Sequence, residues 1–128
     1  MIAVDASAVL AILFDEPDAG TYSDILIARG GVISPVNRWE VLVAAYREGG
    51  DPGVADARAL MEALQVDGAD MPAAAGDLAF EAFRRFGKGA GGPLNLGDCF
   101  AYALAQVEGD GLLFKGDDFP KTDVKPAV

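Results

Sequence analysis

The chain has 128 residues, a formal net charge of −10, one cysteine and no histidine. The length predicts a single domain over residues 1–128, and the hydrophobic fraction of 52% excludes wholesale disorder. The lack of histidine excludes Ser-His-Asp and Cys-His catalysis and histidine metal sites, and the single cysteine excludes an internal disulfide.

The first part of the chain predicts short buried strands that alternate with helices. Residues 2–4 are typical of a buried strand, and the apolar run 6–14 favours a buried helix. That run is too short to span a bilayer and no signal peptide precedes it, so we expect a cytoplasmic protein without membrane contact. A helix to about Arg29 and a second strand at 32–33 follow.

Two pairs of residues predict helix starts in the middle of the chain. Ser34 with Pro35 combines a capping hydroxyl with a proline in the first turn, and Asp51 with Pro52 repeats the pattern. Beyond them the predicted elements are a strand at 66–71, a helix at 72–86, a helix at 96–108 and a strand at 111–114, and the turn-rich tail with Val124 is expected to add an edge strand. Such alternation predicts an α/β fold with a parallel sheet covered on both faces.

Acidic residues occupy positions at which a carboxylate is costly. Asp5 and the pair Asp117 and Asp118 follow predicted strands at their carboxyl ends, where open parallel sheets bind ligands. Glu40 falls on the apolar face of its helix, and Asp98 is the only charged residue in the helical run before Glu108. Carboxylates that converge repel one another, so they require a cation or raised pKa values.

Each of these acids also has an ordinary structural interpretation. Asp5 is placed to cap the helix that follows it, and Asp98 is a first-turn acid of the kind that the helix dipole favours. Glu40 could pair with Arg38 or Arg47, and the acids after the last strand suit a Gly-Asp turn. If the acids instead meet at one site, their oxygen atoms suit Mg²⁺ or Mn²⁺, and such an ion would activate water for phosphodiester attack.

The sequence resembles PIN-domain ribonucleases and, more narrowly, the VapC toxins of bacterial toxin–antitoxin pairs. Four motifs carry the resemblance, namely DASAVL at 5–10, Asn37 with Glu40, LNLGDCFAYA at 94–103 and LLFKGDDF at 112–119. They occur in the family's order and cover the whole chain. The resemblance implies a three-layer α/β/α sandwich with a short parallel sheet, and Mg²⁺- or Mn²⁺-dependent endoribonuclease activity.

The resemblance also assigns residues to the family's site. Its four acids correspond to Asp5, Glu40, Asp98 and Asp117, and Asp118 is close enough to compete for the fourth position. Two further positions are expected to support the site, Ser7 with its hydroxyl and Asn95 as a capping residue. The family further implies a homodimer and an antitoxin whose tail enters the acidic groove, often with an arginine or lysine.

RNA binding by so acidic a protein requires local positive charge. Arg84, Arg85 and Lys88 form the only basic cluster, beside the glycine-rich segment 87–92, which we expect to be flexible. We expect these three side chains to contact RNA phosphates, and the alternative is a solvated helix end at which cations suit the dipole. The segment is not a phosphate-binding P-loop, because no strand precedes it and no Gly-Lys-Ser/Thr ends it.

Two other functions compete with the ribonuclease. A Mg²⁺-dependent phosphatase of the haloacid-dehalogenase type usually has a second aspartate two residues after the first, and Ser7 stands there. That class also needs a larger cap or core than this chain offers. The second alternative is an inactive PIN-like module that only binds a partner, and loss of one of the four acids would be its mark. None of the four is missing.

Overall fold

The computed structural model describes residues 1–128. Its strands and helices follow the alternation predicted from the sequence, in the order β1 (Ile2–Val4), α1 (Ala6–Leu13), α2 (Ala19–Arg29), β2 (Gly31–Ile33), α3 (Pro35–Ala63), β3 (Val66–Gly68), α4 (Ala74–Phe86), α5 (Leu96–Glu108) and β4 (Leu112–Leu113). Two 3-10 turns, at Lys88–Ala90 and Phe119–Lys121, complete the structure.

The four strands form one parallel sheet in the order β3-β2-β1-β4. In the central strand, Ile2 pairs with Gly31 of β2 and Ala3 pairs with Leu112 of β4. Since all four strands run the same way, the residues that follow them meet at one edge of the sheet. Asp5 lies at this edge, and the chain segment after β4 reaches it as well.

The sheet separates two hydrophobic clusters, one on each face. Ile2 and Val4 of β1 belong to a cluster of 16 residues with α1, α2 and α3. Ala3 points to the opposite face and belongs to a cluster of 14 residues with α4 and α5. The α/β class and the three-layer sandwich are therefore confirmed, because alternate residues of the same strand are buried under different helices.

Helix α3 has a break that reconciles it with the two helices expected from the sequence. Gly50 leaves the helical region with φ 61° and ψ −151°, and Pro52 follows it. A left-handed backbone at this position favours glycine. After the break the chain passes so close to the first part of α3 that a Cβ at Gly53 would overlap the carbonyl of Ala45.

Three segments differ from the expectation. The third strand ends at Gly68, and the C-terminal tail adds only an isolated bridge between Leu112 and Pro126 instead of an edge strand. The glycine-rich segment forms a compact turn, in which the amide of Lys88 donates to the carbonyl of Leu94 at 3.1 Å. None of the helices combines the length and the apolar character needed to cross a membrane.

Candidate active site

Three of the predicted acids line one open cavity of about 400 Å³ at the carboxyl edge of the sheet. Asp5 comes from the end of β1, Glu40 from α3 and Asp98 from α5. The remaining lining residues mix small, apolar and charged side chains, namely Ala6, Ser7, Leu10, Trp39, Val43, Ala44 and Arg47. The cavity therefore has an acidic end and a largely apolar wall.

Asp5 acts as a helix cap and is buried at the same time. Its Oδ2 accepts a hydrogen bond from the backbone amide of Ser7 at 3.0 Å, so it is the N-cap of α1. Only 5% of the residue is exposed. Burial raises the pKa of Asp5, and the charge of Glu40 raises it further. Asp5 is therefore a helix cap that also lines the acidic cavity.

Glu40 is held by a chain of hydrogen bonds that starts at the cap of α3. Ser34 Oγ accepts from the amide of Asn37 at 3.0 Å and donates to Asn37 Oδ1 at 2.6 Å. The Asn37 side-chain amide is thereby oriented, and its Nδ2 donates to Glu40 Oε1 at 2.8 Å. The same Nδ2 donates to the carbonyl of Gly97 in α5 at 2.9 Å. Asn37 thus joins the carboxylate of α3 to the first turn of α5.

The ion pair that could have explained Glu40 structurally is not formed. Neither Arg38 nor Arg47 lies within salt-bridge distance of Glu40, and the Arg38 guanidinium instead points to the Met61 sulfur at 3.7 Å. Burial raises the pKa of Glu40, and the charge of Asp98 raises it further. The hydrogen bond from Asn37 acts in the opposite direction but is a smaller effect than burial. Glu40 is therefore a half-buried acid without a cationic partner.

Asp98 forms a capping box with Asn95 at the start of α5. The amide of Asp98 donates to Asn95 Oδ1 at 2.9 Å, and the amide of Asn95 donates to Asp98 Oδ2 at 3.1 Å. Burial raises the pKa of Asp98 to about 6, and the charges of Asp5 and Asp118 contribute to the rise. The expected role of Asn95 as a cap is thus present in the structure.

Gly97 permits the close approach of Glu40 to α5. A Cβ at this position would overlap both carboxylate oxygens of Glu40, so only glycine leaves room for the acid beside the helix. Gly97 and Asn37 belong to the motifs of the sequence, but the role of neither was predicted from them. The spacing of Ser34, Asn37 and Glu40 at three-residue intervals is the local signal that could have revealed the hydrogen-bond chain.

The pair of acids after β4 lies in an exposed bend at 116–118. Ser7 links this segment to α1, because its Oγ accepts from the amide of Lys115 at 3.0 Å. Asp118 is near enough for its charge to raise the pKa of Asp98. Neither Asp117 nor Asp118 lines the cavity of the other three acids. The structure thus gives Asp118 an electrostatic link to the site, and the identity of the fourth acid stays a prediction.

The basic cluster is only partly available for RNA. Arg84 pairs with Glu81 at 2.9 Å, and Arg85 pairs with Asp123 at 3.0 Å while its guanidinium covers the ring of Phe86. Lys88 forms no ion pair, and its charge lowers the pKa of Asp98. Of the three cations, Lys88 is therefore the one that acts on the acidic site.

The carboxylates form a loose group. No three acidic or cysteine side chains stand close enough together to ligate one metal ion directly. The donor chemistry still fits a hard cation, because Asp5, Glu40 and Asp98 supply oxygen atoms only and share a cavity in which each raises another's pKa. An ion that retains several waters needs only one or two of these carboxylates as direct ligands.

Comparison with known proteins supplies a family. The family model described as PIN domain matches residues 2–125. The chain is 38% identical over 125 residues to ribonuclease VapC30 of Mycobacterium tuberculosis, with 94% of each chain covered. It is 40% identical over 128 residues to ribonuclease VapC of Mycolicibacterium smegmatis, with 94% of this chain and 95% of that protein covered.

A solved structure agrees in fold. VapC20 of Mycobacterium tuberculosis, described as a sarcin-ricin loop cleaving toxin, superposes with a TM-score of 0.77 over 100% of this chain and 98% of that chain. The sequence identity is 17%, so this likeness is evidence for the architecture alone. The sheet and its helices thus have the same architecture as that solved structure.

Proposed function

This chain belongs to the PIN-domain family of VapC ribonucleases, and we propose that its active site is built from Asp5, Glu40 and Asp98 with one acid of the Asp117–Asp118 pair. The chain is an endoribonuclease and the toxin of a toxin–antitoxin pair. The observation that carries the site proposal is the meeting of three acids from different elements in one cavity, without any cation paired to them.

Mg²⁺ or Mn²⁺ is the proposed cofactor. Three oxygen-only side chains with raised pKa values would gain most from a divalent cation, because it relieves their mutual repulsion. One or two of Asp5, Glu40 and Asp98 would bind it directly and the others through water. When bound, such an ion supplies an activated water and stabilises the charge that develops on the leaving oxygen.

The protein's own groups orient the carboxylates. The amide of Ser7 fixes one oxygen of Asp5, and Asn37 fixes one oxygen of Glu40. The backbone of Asn95 fixes Oδ2 of Asp98, so its other oxygen is left without a protein donor. With a pKa of about 6, that carboxyl can hold or release a proton near neutral pH. These contacts preorganise the acids before RNA arrives.

The proposed partners follow from the charge and the apolar surface. An antitoxin tail with an arginine or lysine would neutralise the unpaired acids of the cavity. We propose a homodimer as the functional form, because α4 and α5 expose large apolar side chains, namely Phe80, Phe83 and Leu96. Since RNA and the antitoxin are intracellular, we also propose that the protein acts in the cytoplasm.

Cleavage of bacterial RNA by the purified, antitoxin-free protein tests the proposed function. We expect discrete fragments with Mg²⁺ or Mn²⁺, none with EDTA, and loss of at least about 100-fold in rate for Asp98→Asn. An Asp77→Asn variant is the matched control, because Asp77 is also a first-turn acid but lies in α4, away from the cavity.

Three results would overturn the proposal. Metal-independent cleavage would remove the role of the ion. Failure of the folded wild-type protein to cut any RNA would favour the alternative of an inactive PIN-like module that binds a partner. Hydrolysis of small phosphate monoesters instead of RNA would revive the phosphatase alternative.

A further inference from the structure

The single tryptophan of the chain lies beside the acidic site and is exposed. Trp39 precedes Glu40 on α3, lines the same cavity, and has 64% of its surface in contact with solvent. A large aromatic side chain at the mouth of a cavity contributes nothing to the two hydrophobic clusters. Its flat face is instead available to a ligand that enters the site.

Arg47 supplies an unpaired positive charge on the same wall. It is exposed, lines the cavity, and forms no salt bridge or hydrogen bond with any of the 20 acidic residues of the chain. A free guanidinium in so acidic a protein is suited to an external anion. Phosphate is the anion that matches its planar set of donors.

Trp39, Val43 and Arg47 follow one another at intervals of four residues, so they form one stripe along α3. The stripe extends for about 12 Å along the helix axis. Glu40 lies beside its first residue and Leu10 completes the apolar wall. The cavity therefore presents, side by side, a set of carboxylates, an aromatic face and a cation.

We propose that this stripe is a nucleotide subsite of the ribonuclease, in which the Trp39 ring stacks on an RNA base and the Arg47 guanidinium binds a neighbouring phosphate. The inference rests on the proposed function, because the subsite would position the RNA strand whose backbone reaches Asp5, Glu40 and Asp98. Stacking on an aromatic face is tolerant of base identity, so Trp39 affects where the RNA strand lies more than which base sequence is bound. Both residues are positioning residues.

Charge favours RNA over a protein segment as the occupant of the stripe. A basic peptide tail that paired with the carboxylates at the acidic end of the cavity would leave the Arg47 guanidinium without an anionic partner. An RNA strand offers a partner to both residues of the stripe, because its phosphate pairs with the guanidinium of Arg47 and its base covers the indole of Trp39. The Arg47 contact also adds local positive charge to that of Lys88 in a protein of net charge −10.

Intrinsic fluorescence tests the subsite directly, because Trp39 is the only tryptophan. The full chain in EDTA is titrated with a mixed-sequence, single-stranded oligoribonucleotide, so that binding is observed without cleavage. We expect the emission of Trp39 to be quenched as the RNA binds. Unchanged emission at RNA concentrations that saturate a fluorescence-anisotropy signal would overturn the proposal.

Variants separate stacking from charge. With labelled RNA, we expect Trp39→Ala to weaken binding roughly tenfold and Trp39→Phe to restore most of it. Arg47→Gln should reduce the dependence of binding on salt. Tyr46→Ala is the control, because Tyr46 is a 58% exposed aromatic residue of α3 that does not line the cavity. An equal loss of affinity in the Tyr46 and Trp39 variants would overturn the proposal.

Two outcomes distinguish this inference from the proposed function. If the wild-type protein cleaves RNA and Trp39→Ala has an unchanged KM, the subsite is wrong and the ribonuclease site stands. If the wild-type protein does not cleave RNA, the proposed function fails, while the quenching experiment still decides whether RNA occupies the stripe. Quenching by an oligoarginine peptide but not by RNA would assign the stripe to a protein partner.

Discussion

At the scale of single residues, the acids of this site combine a local structural role with the proposed functional one. Asp5 caps α1 and Asp98 closes the capping box of α5, yet both side chains also line the acidic cavity. A helix N-terminus stabilises an anion, so the caps offset part of the repulsion between the carboxylates. The structural and functional interpretations of these acids are therefore complementary.

The raised pKa of Asp98 predicts how stability depends on pH. The folded state binds the proton with a pKa of about 6 against an ordinary value of 3.8, so it holds more protons than the unfolded chain between these values. Asp98 should therefore destabilise the metal-free protein progressively as pH rises from about 4 to about 7. Urea unfolding in EDTA, compared between wild type and Asp98→Asn, measures this contribution.

We expect Asp98→Asn to be more stable than wild type at neutral pH by about 1 kcal/mol, a value reduced for the partial solvent exposure of the carboxylate. The asparagine oxygen can still accept from the backbone of Asn95, so the cap is retained. A variant that is less stable than wild type at pH 7 would show that the carboxylate has a structural role that outweighs its repulsion.

The fourth acid can be identified by comparing two neighbouring substitutions. Neither acid lines the cavity, but the charge of Asp118 raises the pKa of Asp98. We expect Asp118→Asn to reduce kcat more than Asp117→Asn, by at least about tenfold, with little effect on stability because both residues are exposed. The opposite order would return the role to Asp117, the residue that the family resemblance favours.

At the scale of elements, the site depends on how closely α3 and α5 approach each other. Asn37 donates to Glu40 and to the Gly97 carbonyl, so one side chain aligns the two helices and aims the acid. Gly97 has no Cβ to keep the carboxylate away from α5. The two residues are separated by 60 positions in the chain, and only the packed helices bring them together.

Gly97→Ala should prevent the close approach of Glu40 to α5 with little loss of folding stability. The new Cβ would overlap the Glu40 carboxylate, which lies at the end of a flexible side chain and can move away. We expect kcat to fall at least about tenfold. The gain in helix propensity, up to about 1 kcal/mol, should offset the loss of the hydrogen bond between Asn37 and Glu40. Gly76→Ala in α4 is the control, because its Cβ would meet no atom within 4 Å. Equal activity of the two variants would contradict the role of Gly97.

At the scale of the whole molecule, the parallel sheet supports a layer of helices on each face and carries the candidate site at one edge. Each face of β1 belongs to a different cluster, so neither cluster can form without the same strand. We propose on this basis that residues 1–128 form a single domain. The edge at the carboxyl ends of the strands is left for the site, as in other open parallel sheets.

The proposed homodimer makes a prediction about the surface of α4 and α5. Phe80 is 59% exposed and Leu96 is 71% exposed, and both border a groove of about 360 Å³ with Phe83. We expect Phe80→Glu with Phe83→Glu to convert a dimer into a monomer in light scattering, because buried charge opposes an apolar interface. Ile27→Glu on α2 is a matched control and should leave the dimer intact. A monomeric wild-type protein would contradict the proposal.

The sequence by itself determined the alternation of strands and helices, the caps at Ser34 and Asn95, and the acids as candidates. These features are visible locally, because a charge at a strand end or in an apolar helix stands out against its neighbours. The resemblance to a known family added the expectation of a PIN-domain ribonuclease of the VapC type, and the comparisons confirmed that family. The structure differs from these expectations in three segments: the third strand is shorter, the tail forms no edge strand, and the glycine-rich segment is a compact turn.

Only the tertiary structure decided which side chains act on one another. It left Glu40 and Arg47 unpaired although both belong to α3, and it engaged Arg85 with Asp123 from the far end of the chain. It also placed Trp39 on the wall of the acidic cavity instead of in a core. The physical reason is that ion pairs and shared cavities depend on distances between helices, which are set by packing across the sheet and not by position along the chain.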